Sequence, residues 1–380
     1  MLQNSLRAGV TTLVLATLLA CAAPAAAPGA APPSAPAGSA APVTDRPPAL
    51  QALVDAARQE GEIDLVWGEG SVGGREGTRR LTDGLNREYG LNLDVRFTPG
   101  PSFPEMAARI TQEYQAGRRA TSDVYIGADH HISGLMANNV LEAVDWSAWA
   151  PHVRDPALVA PQGMAVTFET WLPGITYNTV RVTGDAVPRT LQDLLKPEYK
   201  GRVASTPYAS GFDRLASPEV WGKARTLDFA TRLADQLAGL IRCNETQRIV
   251  SGEFDVFALD CNGSNALKAK AQGAPIEFTP ALDVPVANLV YMAVPKNAAH
   301  PAAAKLWIDY VLSREGQDIL FAEEYMDSHL VPGSRTAQQV EKLQASGATL
   351  EIFDVARVQS RDEAELADVL PEVQRILSKK

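Results

Sequence analysis

The sequence predicts an α/β protein with two domains, and three observations carry that prediction. After an apolar N-terminal run and a tract rich in alanine and proline, about 330 residues remain, which is enough for two domains. In that part, short apolar runs typical of strands alternate with segments of helical periodicity. Hydrophobic residues make up 46% of the chain and charged residues 21%, which are ordinary values for a globular protein.

The first 20 residues have the pattern of a secretory signal peptide. Arg7 lies in a short polar start, and the apolar run from Ala8 to Ala20 is too short to cross a bilayer comfortably. The sequence LLAC at 18–21 resembles the bacterial lipoprotein cleavage box, in which the cysteine thiol is joined to lipid. We therefore expect a signal peptide at 1–20 and lipidation of Cys21. The alternative is an ordinary signal peptide with an incidental cysteine.

Residues 21–48 are predicted to form a tether between the membrane and the globular part. Eight of the 26 prolines fall between Pro24 and Pro48. Such a tract cannot bury enough apolar surface to offset the entropy of ordering it, so it is expected to be partly extended. Because no later apolar run is long enough to span a membrane, the sequence predicts a protein that is anchored to the membrane and does not cross it.

The charge balance excludes one class of partner. The chain has 35 basic and 45 acidic residues and a net charge of −10. Nucleic-acid phosphates demand a basic face, so a nucleic-acid partner is not expected. A small anionic ligand is still compatible with this charge, because local dipoles decide its binding.

The three cysteines suggest a disulfide. If Cys21 is lipidated, Cys243 and Cys261 are left as an even pair in an oxidising compartment, which favours a bond between them. The alternative is a pair of buried free thiols. No further ligands lie at the close spacing that a cysteine metal site requires, so no metal is predicted there.

The first half of the globular part alternates regularly between helix and strand. The predicted elements are a helix at 50–59, a strand at 63–67, a helix at 81–89, a strand at 91–97, a helix at 103–115 and a strand at 123–127. This order is typical of βαβ units with a parallel sheet. In such sheets, ligands bind at the carboxyl ends of the strands.

A second α/β region follows an extended stretch at 166–179, which is broken by Pro173 and Gly174 and is a plausible crossing between domains. The further predicted elements are helices at 191–195, 226–240 and 301–312, and strands at 202–206, 254–260 and 287–295. The tail from 337 to 380 is predicted to be helical and amphipathic.

Four stretches resemble a known family in their order and spacing. They are LVDAARQEGEIDLVWGEGS at 53–71, DVYIGADHHISGLMANNVLEAV at 123–144, ITYNTVRV with TLQDLLKPEYKGRVASTPYASG at 175–211, and VPKNAAHPAAAKLWIDYVLSREGQDIL at 294–320. The chain resembles the extracellular solute-binding proteins of ABC importers, particularly the branch that contains ferric-iron, phosphonate and polyamine receptors.

The resemblance implies a two-lobed, type II periplasmic-binding-protein-like fold of the α/β class. Lobe one would comprise 49–172 plus 286–335, lobe two 173–285 inserted into it, and 336–380 the C-terminal helices. A small solute would bind in the cleft and stabilise a closed form that the permease and ATPase complex recognises. The resemblance therefore implies an exported receptor that is held at the membrane by its acylated N-terminus, and neither an enzyme nor a cofactor-binding protein.

The glycine-rich stretch 68–74 is the first candidate site, because it lies between a strand and a helix. Backbone amides of Glu69 and Gly70, the hydroxyl of Ser71 and the charge of Arg75 are expected to cradle an anion. The alternative is a solvated glycine turn. The stretch also satisfies G-x-G-x-x-G, but Asp94 lies inside its predicted strand and not at the end, which weakens the hypothesis of an exported enzyme that binds a dinucleotide.

The other candidates follow predicted strands, and the resemblance places them at the cleft. Some have a simpler alternative role, as a surface residue for the histidine or as a helix cap for the serine of the loop and for the asparagine. These candidates are Asp129 and His130 after the strand at 123–127, Tyr208, Ser210 and Gly211 after the strand at 202–206, and Asp260, Asn262 and Ser264 after the strand at 254–260.

The identity of the solute is predicted only as a class. Ferric-iron receptors of this branch use adjacent tyrosines, and none of the nine tyrosines here has a tyrosine neighbour. An unusual iron site from Glu69, His130, Tyr208 and Asp260 is the alternative to the favoured solute, a small organic or phosphorus-containing anion. An exported hydrolase is disfavoured because no G-x-S-x-G or H-E-x-x-H motif is present.

Overall fold

A computed structural model describes residues 46–360 and 368–379. The predicted signal peptide, the predicted lipidation site at Cys21 and the tether up to residue 45 lie outside these residues, as do residues 361–367 of the tail. Residues 44–380 belong to one unit of the chain. In the described part, no helix combines the length and the apolar character that crossing a membrane requires.

The first six elements follow the predicted alternation. Helix α1 (Pro48–Glu60) begins with proline in its first turn and ends at Gly61, whose φ of 73° closes the helix. Helix α3 (Phe103–Gln115) begins with a capping box formed by Ser102 and Glu105. The other elements in this part are β1 (Glu62–Trp67), α2 (Gly74–Tyr89), β2 (Asp94–Pro99) and β3 (Tyr125–Ala128).

The remaining chain adds ten helices and eight strands within the described residues, apart from short 3-10 turns. The helices are α4 (Asp129–Ala137), α5 (Phe212–Leu215), α6 (Gly222–Gln236), α7 (Gln247–Val250), α8 (Ser264–Ala271), α9 (Pro301–Val311), α10 (Arg314–Glu324), α11 (Arg335–Ala345), α12 (Val355–Ser360) and α13 (Val369–Leu377). The strands are β4 (Val166–Trp171), β5 (Gly174–Asn178), β6 (Val203–Ser205), β7 (Leu237–Leu240), β8 (Val256–Asp260), β9 (Ile276–Pro280), β10 (Val286–Ala293) and β11 (Glu351–Phe353).

The strands form three sheets, and the two larger ones are mixed, so the parallel pairing predicted for the first half of the globular part holds for β1 and β2 and not for β3. Strands β1 and β2 pair in parallel. Strand β10 pairs antiparallel with β3 and β4 and parallel with β11. The third sheet has the order β7-β6-β8-β5-β9, in which β5 runs antiparallel to both neighbours. The periodicity of a single strand carries no information about the direction of its partner, so the sequence did not reveal this.

We call the part built on the first two sheets lobe one and the part built on the five-stranded sheet lobe two. The chain passes from one to the other between β4 and β5, and returns between β9 and β10. The predicted boundaries at 172/173 and 285/286 fall in these two crossings. The largest cluster of buried apolar side chains lies in lobe one around Trp67 and Trp307, and a second lies in lobe two around Phe212 and Phe229.

Two predicted helical segments contain strands. The helix predicted at 226–240 ends at Gln236, and Leu237–Leu240 pairs with β6. In the tail, which was expected to be helical, Glu351–Phe353 pairs with the start of β10. Both strands are stabilised by partners that are distant in sequence, and helical periodicity does not reveal such pairing.

Candidate functional site

Loops from both lobes enclose a cavity of about 560 Å³, which we call chamber one. Lobe one contributes the end of β3 and the end of β4. Lobe two contributes the loop after β6 and the end of β8. The residues that line the chamber include Ala128, His130, Trp171, Tyr208, Ser210, Gly211, Asp213, Arg214, Asp260, Cys261 and Asn288.

The loop after β6 is shaped by two residues with left-handed backbone. Ala209 has a φ of 53° and Gly211 a φ of 79°, a conformation in which glycine costs least. The amide of Ser210 donates to Thr206 Oγ1 at 2.8 Å. This turn brings Ser210 and Gly211 to the wall of chamber one.

A disulfide supports the same wall. Cys243 and Cys261 are bonded, with their Cα atoms 5.9 Å apart. The hydroxyl of Tyr208 lies 2.7 Å from Cys243 Sγ and accepts a hydrogen bond from the Cys243 amide at 3.0 Å. The disulfide thus joins the end of β8 to the segment after β7. Tyr208 contacts this disulfide and has 43% of its surface exposed.

Asp260 uses its carboxylate within the protein. It is 3% exposed, accepts from the Thr176 hydroxyl, and also accepts from the backbone amides of Cys261, Asn262 and Gly263. Burial raises the pKa of Asp260 above its ordinary value, and these hydrogen bonds oppose that shift. Asp260 therefore holds the amides at the start of α8 and shapes chamber one.

A buried ion pair joins the lobes next to chamber one. Arg214 Nη2 on α5 donates to Asp129 Oδ1 at the start of α4 at 2.8 Å, and the two side chains are 10% and 1% exposed. Burial alone would raise the pKa of Asp129, but the contacts with His130 and Arg214 lower it below its ordinary value. The Arg214 guanidinium also stacks on the buried ring of Phe353, 4.8 Å from its centroid. This cluster brings β3, α5 and β11 together.

A second cavity of about 340 Å³, chamber two, lies against lobe one. Trp171 lines both chambers, so the two spaces adjoin at this side chain. The other residues that line chamber two are Gly68, Glu69, Gly70, Ser71, Val72, Phe103, Ile126, Phe168, Glu169, Glu324 and Met326.

The glycine-rich loop is arranged differently from an open anion cradle. The amide of Gly73, just before α2, donates to Glu324 Oε1 at 3.2 Å, and Val72 also donates a backbone hydrogen bond to this carboxylate. A glutamate of α10 thus accepts from two amides of the glycine-rich stretch, next to the predicted cradle groups of Glu69, Gly70 and Ser71. Asp94 begins β2 and does not end it. Both observations also count against a dinucleotide at this loop.

Two buried carboxylates meet at the wall of chamber two. Glu169 on β4 is 2% exposed and Glu324 is 7% exposed. Burial raises the pKa of both. The neighbouring Glu324 and Asp327 raise the pKa of Glu169 further, whereas the hydrogen bond with Glu169 lowers the pKa of Glu324. Glu169 Oε2 also accepts from the Trp171 indole at 3.3 Å. Glu169 is therefore the carboxyl group of the pair on which a proton is favoured.

The predicted candidates fall into four groups. His130, Tyr208, Ser210, Gly211 and Asp260 line chamber one, whereas Glu69, Gly70 and Ser71 line chamber two. Asp129 is paired to Arg214 behind chamber one. The remaining candidates line neither chamber: Arg75 is exposed on α2, and Asn262 Oδ1 accepts from the amide of Ser264 in a helix-capping contact.

Sequence reasoning missed Arg214, Glu169 and Glu324. No motif marks them, and the partners of each lie far away in the chain. Glu169 had one usable signal, because a charged residue inside the apolar strand VTFETW is unusual unless it is paired or functional.

The four residues of the alternative iron site are not gathered in one chamber. Glu69 lines chamber two, while His130, Tyr208 and Asp260 line chamber one. Among the described residues, the histidine, cysteine and acidic side chains that come close enough for a shared metal are Glu62, Asp64 and His300, and these line neither chamber.

Comparison with known proteins agrees with this architecture. Residues 121–361 match the family described as bacterial extracellular solute-binding protein. An Fe(3+)-binding periplasmic protein of Serratia marcescens is 27% identical over 147 residues, which are 38% of this chain and 41% of that protein. The chain thus spans less than half the length of the curated relatives it matches, 41% of that protein and 45% of an uncharacterized protein of Haemophilus influenzae.

Solved structures are similar over most of the chain. The substrate binding protein of an ABC transporter from Agrobacterium tumefaciens has a TM-score of 0.66 at 17% identity, covering 84% of this chain and 96% of that one. The Trichodesmium protein IdiA (FutA), in complex with iron and citrate ligands, has a TM-score of 0.61 at 16% identity, covering 83% and 99%. At these identities the likeness establishes the fold.

The interlobe ion pair generates the first prediction. Arg214→Met removes the cation and keeps an unbranched side chain, so the buried Asp129 loses its guanidinium partner and retains its contacts with His130. We expect the free energy of unfolding at pH 7 to fall by about 3–5 kcal/mol. Because the folded pKa of Asp129 lies below its usual 3.8, the pair stabilises the protein above that pH, and this stabilisation is lost as the pH falls through the lowered pKa.

Urea unfolding at pH 7 and at pH 3 measures this effect. Arg79→Met, which breaks the exposed pair with Asp83, is the matched control and should cause only a small loss. The double variant Asp129→Asn/Arg214→Met should recover part of the lost stability. Equal losses for Arg214→Met and Arg79→Met would contradict the account.

The carboxylate pair generates the second prediction. Glu169→Gln mimics the protonated side chain and can still accept from Trp171. The folded pKa of Glu169 is well above the usual 4.5, so the folded state keeps a proton that the unfolded chain loses, and the wild-type protein loses stability as pH rises above 4.5. We expect Glu169→Gln to be more stable than wild type by about 1–3 kcal/mol at pH 8.

Thermal unfolding between pH 4 and pH 8 tests this expectation, and the difference should shrink toward pH 4. The exposed Glu76→Gln serves as control and should show no such trend. A Glu169→Gln protein that is less stable than wild type at pH 8 would show that the two carboxylates are both ionised and favourably held.

Proposed function

Because the chain belongs to the family of bacterial extracellular solute-binding proteins, we propose that it is the external receptor of an ABC importer and captures a small solute between its lobes. Its fold is that of the type II periplasmic binding proteins. The observation that carries the proposal is chamber one, whose wall is built from the strand ends of both lobes. Proteins of this family bind solutes for transport and are not enzymes.

The proposed solute carries an anionic group, such as a carboxylate or a phosphorus oxyacid, in chamber one. Ser210, Tyr208 and His130 line the chamber and offer a hydroxyl, a phenol and an imidazole as hydrogen-bond donors. Arg214 adds a positive charge that is partly offset by Asp129. Hinge closure would bring the donors of lobe two onto a solute that first contacts lobe one.

Ferric iron is a second candidate, supported by the names of the Serratia and Trichodesmium proteins. Its proposed ligands in chamber one are His130, Tyr208 and Asp260. Against it stand the internal hydrogen bonds of Asp260 and the contact of the Tyr208 hydroxyl with Cys243. A ferric salt therefore belongs in every binding assay.

We propose further that the protein is exported and lipid-anchored through Cys21, with the tract up to residue 48 as its tether. The sequence LLAC at 18–21 supports this proposal. Mass spectrometry of protein extracted from membranes should find an acylated N-terminal cysteine. Cys21→Ala should release the protein from the membrane fraction, and a variant that stays bound would contradict lipid anchoring.

The receptor proposal predicts a solute that purifies with the protein. Native mass spectrometry of protein purified without refolding should show a bound small molecule, and a panel of carboxylates, phosphonates, polyamines and ferric salts should raise the melting temperature where it includes the solute. A ligand at a hundred times its Kd adds about 2.7 kcal/mol of stability. Ser210→Ala should weaken binding about tenfold, through loss of one charge-assisted hydrogen bond.

Ser251→Ala, on an exposed turn of lobe two, is the control and should bind like wild type. The absence of any copurified molecule, together with no response across the panel, would count against a receptor. Equal binding by wild type and Ser210→Ala would show that the solute lies elsewhere.

A further inference from the structure

We propose that chamber two binds the positively charged nitrogen of the solute, an ammonium or alkylated amine, while the rest of the molecule passes Trp171 into chamber one. This inference rests on the proposed function and deepens it, because it names the solute as a molecule with a cationic end. It concerns Glu69, Glu169 and Glu324, which line chamber two and are not part of the anion site proposed in chamber one.

The first argument is the charge of the wall. Glu69, Glu169 and Glu324 line chamber two, and no lysine, arginine or histidine is among the described residues that line it. Lys268 of lobe two lowers the pKa of Glu324 through its charge and does not line the chamber. An anion would be repelled by these carboxylates, whereas a cation would be attracted to them.

The second argument is the shortage of donors at Glu169. This side chain is 2% exposed and lies on the chamber wall, and apart from the Trp171 indole its described hydrogen-bond partner is the carboxyl of Glu324, which can share a proton only when one of the two is protonated. A buried acceptor without a donor is costly. An ammonium group in chamber two would supply the missing donor and a compensating charge, because each of its N–H bonds can donate to one carboxylate.

The third argument separates an organic cation from a metal ion. Glu69, Glu169 and Glu324 do not bring one oxygen each within 4.8 Å of one another, as a shared metal requires, whereas Glu62, Asp64 and His300 elsewhere in lobe one do. Aromatic rings of Phe103, Phe168 and Trp171 complete the wall. Dispersed carboxylates with aromatic faces suit a bulky ammonium group, which gains from both.

Proton linkage follows from the same geometry. In the empty chamber a proton on Glu169 is favoured, because burial and the neighbouring carboxylates of Glu324 and Asp327 raise the pKa of Glu169. A bound cation stabilises both ionised forms, so the proton leaves when the cation enters. Binding should therefore tighten as pH rises through the range in which the pair titrates.

Two matched pairs of probes test the inference by isothermal titration calorimetry on the purified protein. They are phosphoethanolamine against ethyl phosphate, and 4-aminobutyrate against butyrate, so that only the amine differs. We expect the amine-bearing member of a pair to bind at least tenfold more tightly. Glu169→Gln and Glu324→Gln should each reduce that preference at least tenfold and leave ethyl phosphate or butyrate affinity within about twofold of wild type.

A second measurement does not depend on comparing affinities. Titrations in buffers with different ionisation enthalpies should show proton release on binding of the amine-bearing probe, and Glu169→Gln should abolish it. Glu76→Gln, an exposed glutamate on α2 outside both chambers, should bind and release protons like wild type. Its normal behaviour would show that the effects do not arise from net charge alone.

The outcomes separate this inference from the proposed function. Equal binding of both members of a pair, with sensitivity to Ser210→Ala, would overturn the cationic subsite and keep the receptor. A ferric salt that binds wild type and loses its affinity in Glu169→Gln, without any amine preference, would also overturn it and assign chamber two to a metal. No binding by any probe, together with no copurified solute, would overturn both.

Discussion

The buried ion pair between Asp129 and Arg214 is the interaction on which the arrangement of the cleft depends. It connects the first residue after β3 with a short helix of lobe two, and both groups are almost fully removed from water. A charge in such a place is tolerated only with its partner, so the lobes are held in a register in which the ends of β3 and β6 face each other. Phe353 of the tail strand stacks beneath Arg214, which explains how a segment late in the chain can stabilise the junction.

The chemistry of the two chambers follows from where the protein has already used its own charges. Asp260 occupies the amides at the start of α8, and Glu324 occupies the amides before α2. These helix ends are therefore closed to an external anion, although their sequences resemble open anion sites. What is left for a solute is a set of hydroxyl and ring donors in chamber one and an excess of carboxylates in chamber two. This division favours a molecule with opposite charges at its two ends.

Local patterns predicted the elements well and the long-range contacts poorly. The predicted helix at 103–115 coincides with α3, because a capping box and an apolar stripe mark it within one stretch of sequence. Strand β11 was missed, because its stability comes from pairing with Val286–Asn288. The sequence predicted an open anion cradle at the glycine loop. The carboxylate that accepts from the amide of Gly73 belongs to Glu324, which lies 251 positions later in the chain, so no local pattern revealed it. Glu169 and Glu324 were missed for the same reason, since neither reveals its neighbour locally.

The central claim is that one solute is held by groups from both lobes at once. Hydrogen–deuterium exchange of the purified protein, stripped of its solute and then resupplied with the molecule identified by native mass spectrometry, tests it most directly. The account predicts slower exchange on addition of the solute in segments 125–131 and 167–172 of lobe one and, at the same solute concentration, in segment 205–215 of lobe two. Protection confined to one lobe, or no protection in either, would contradict it.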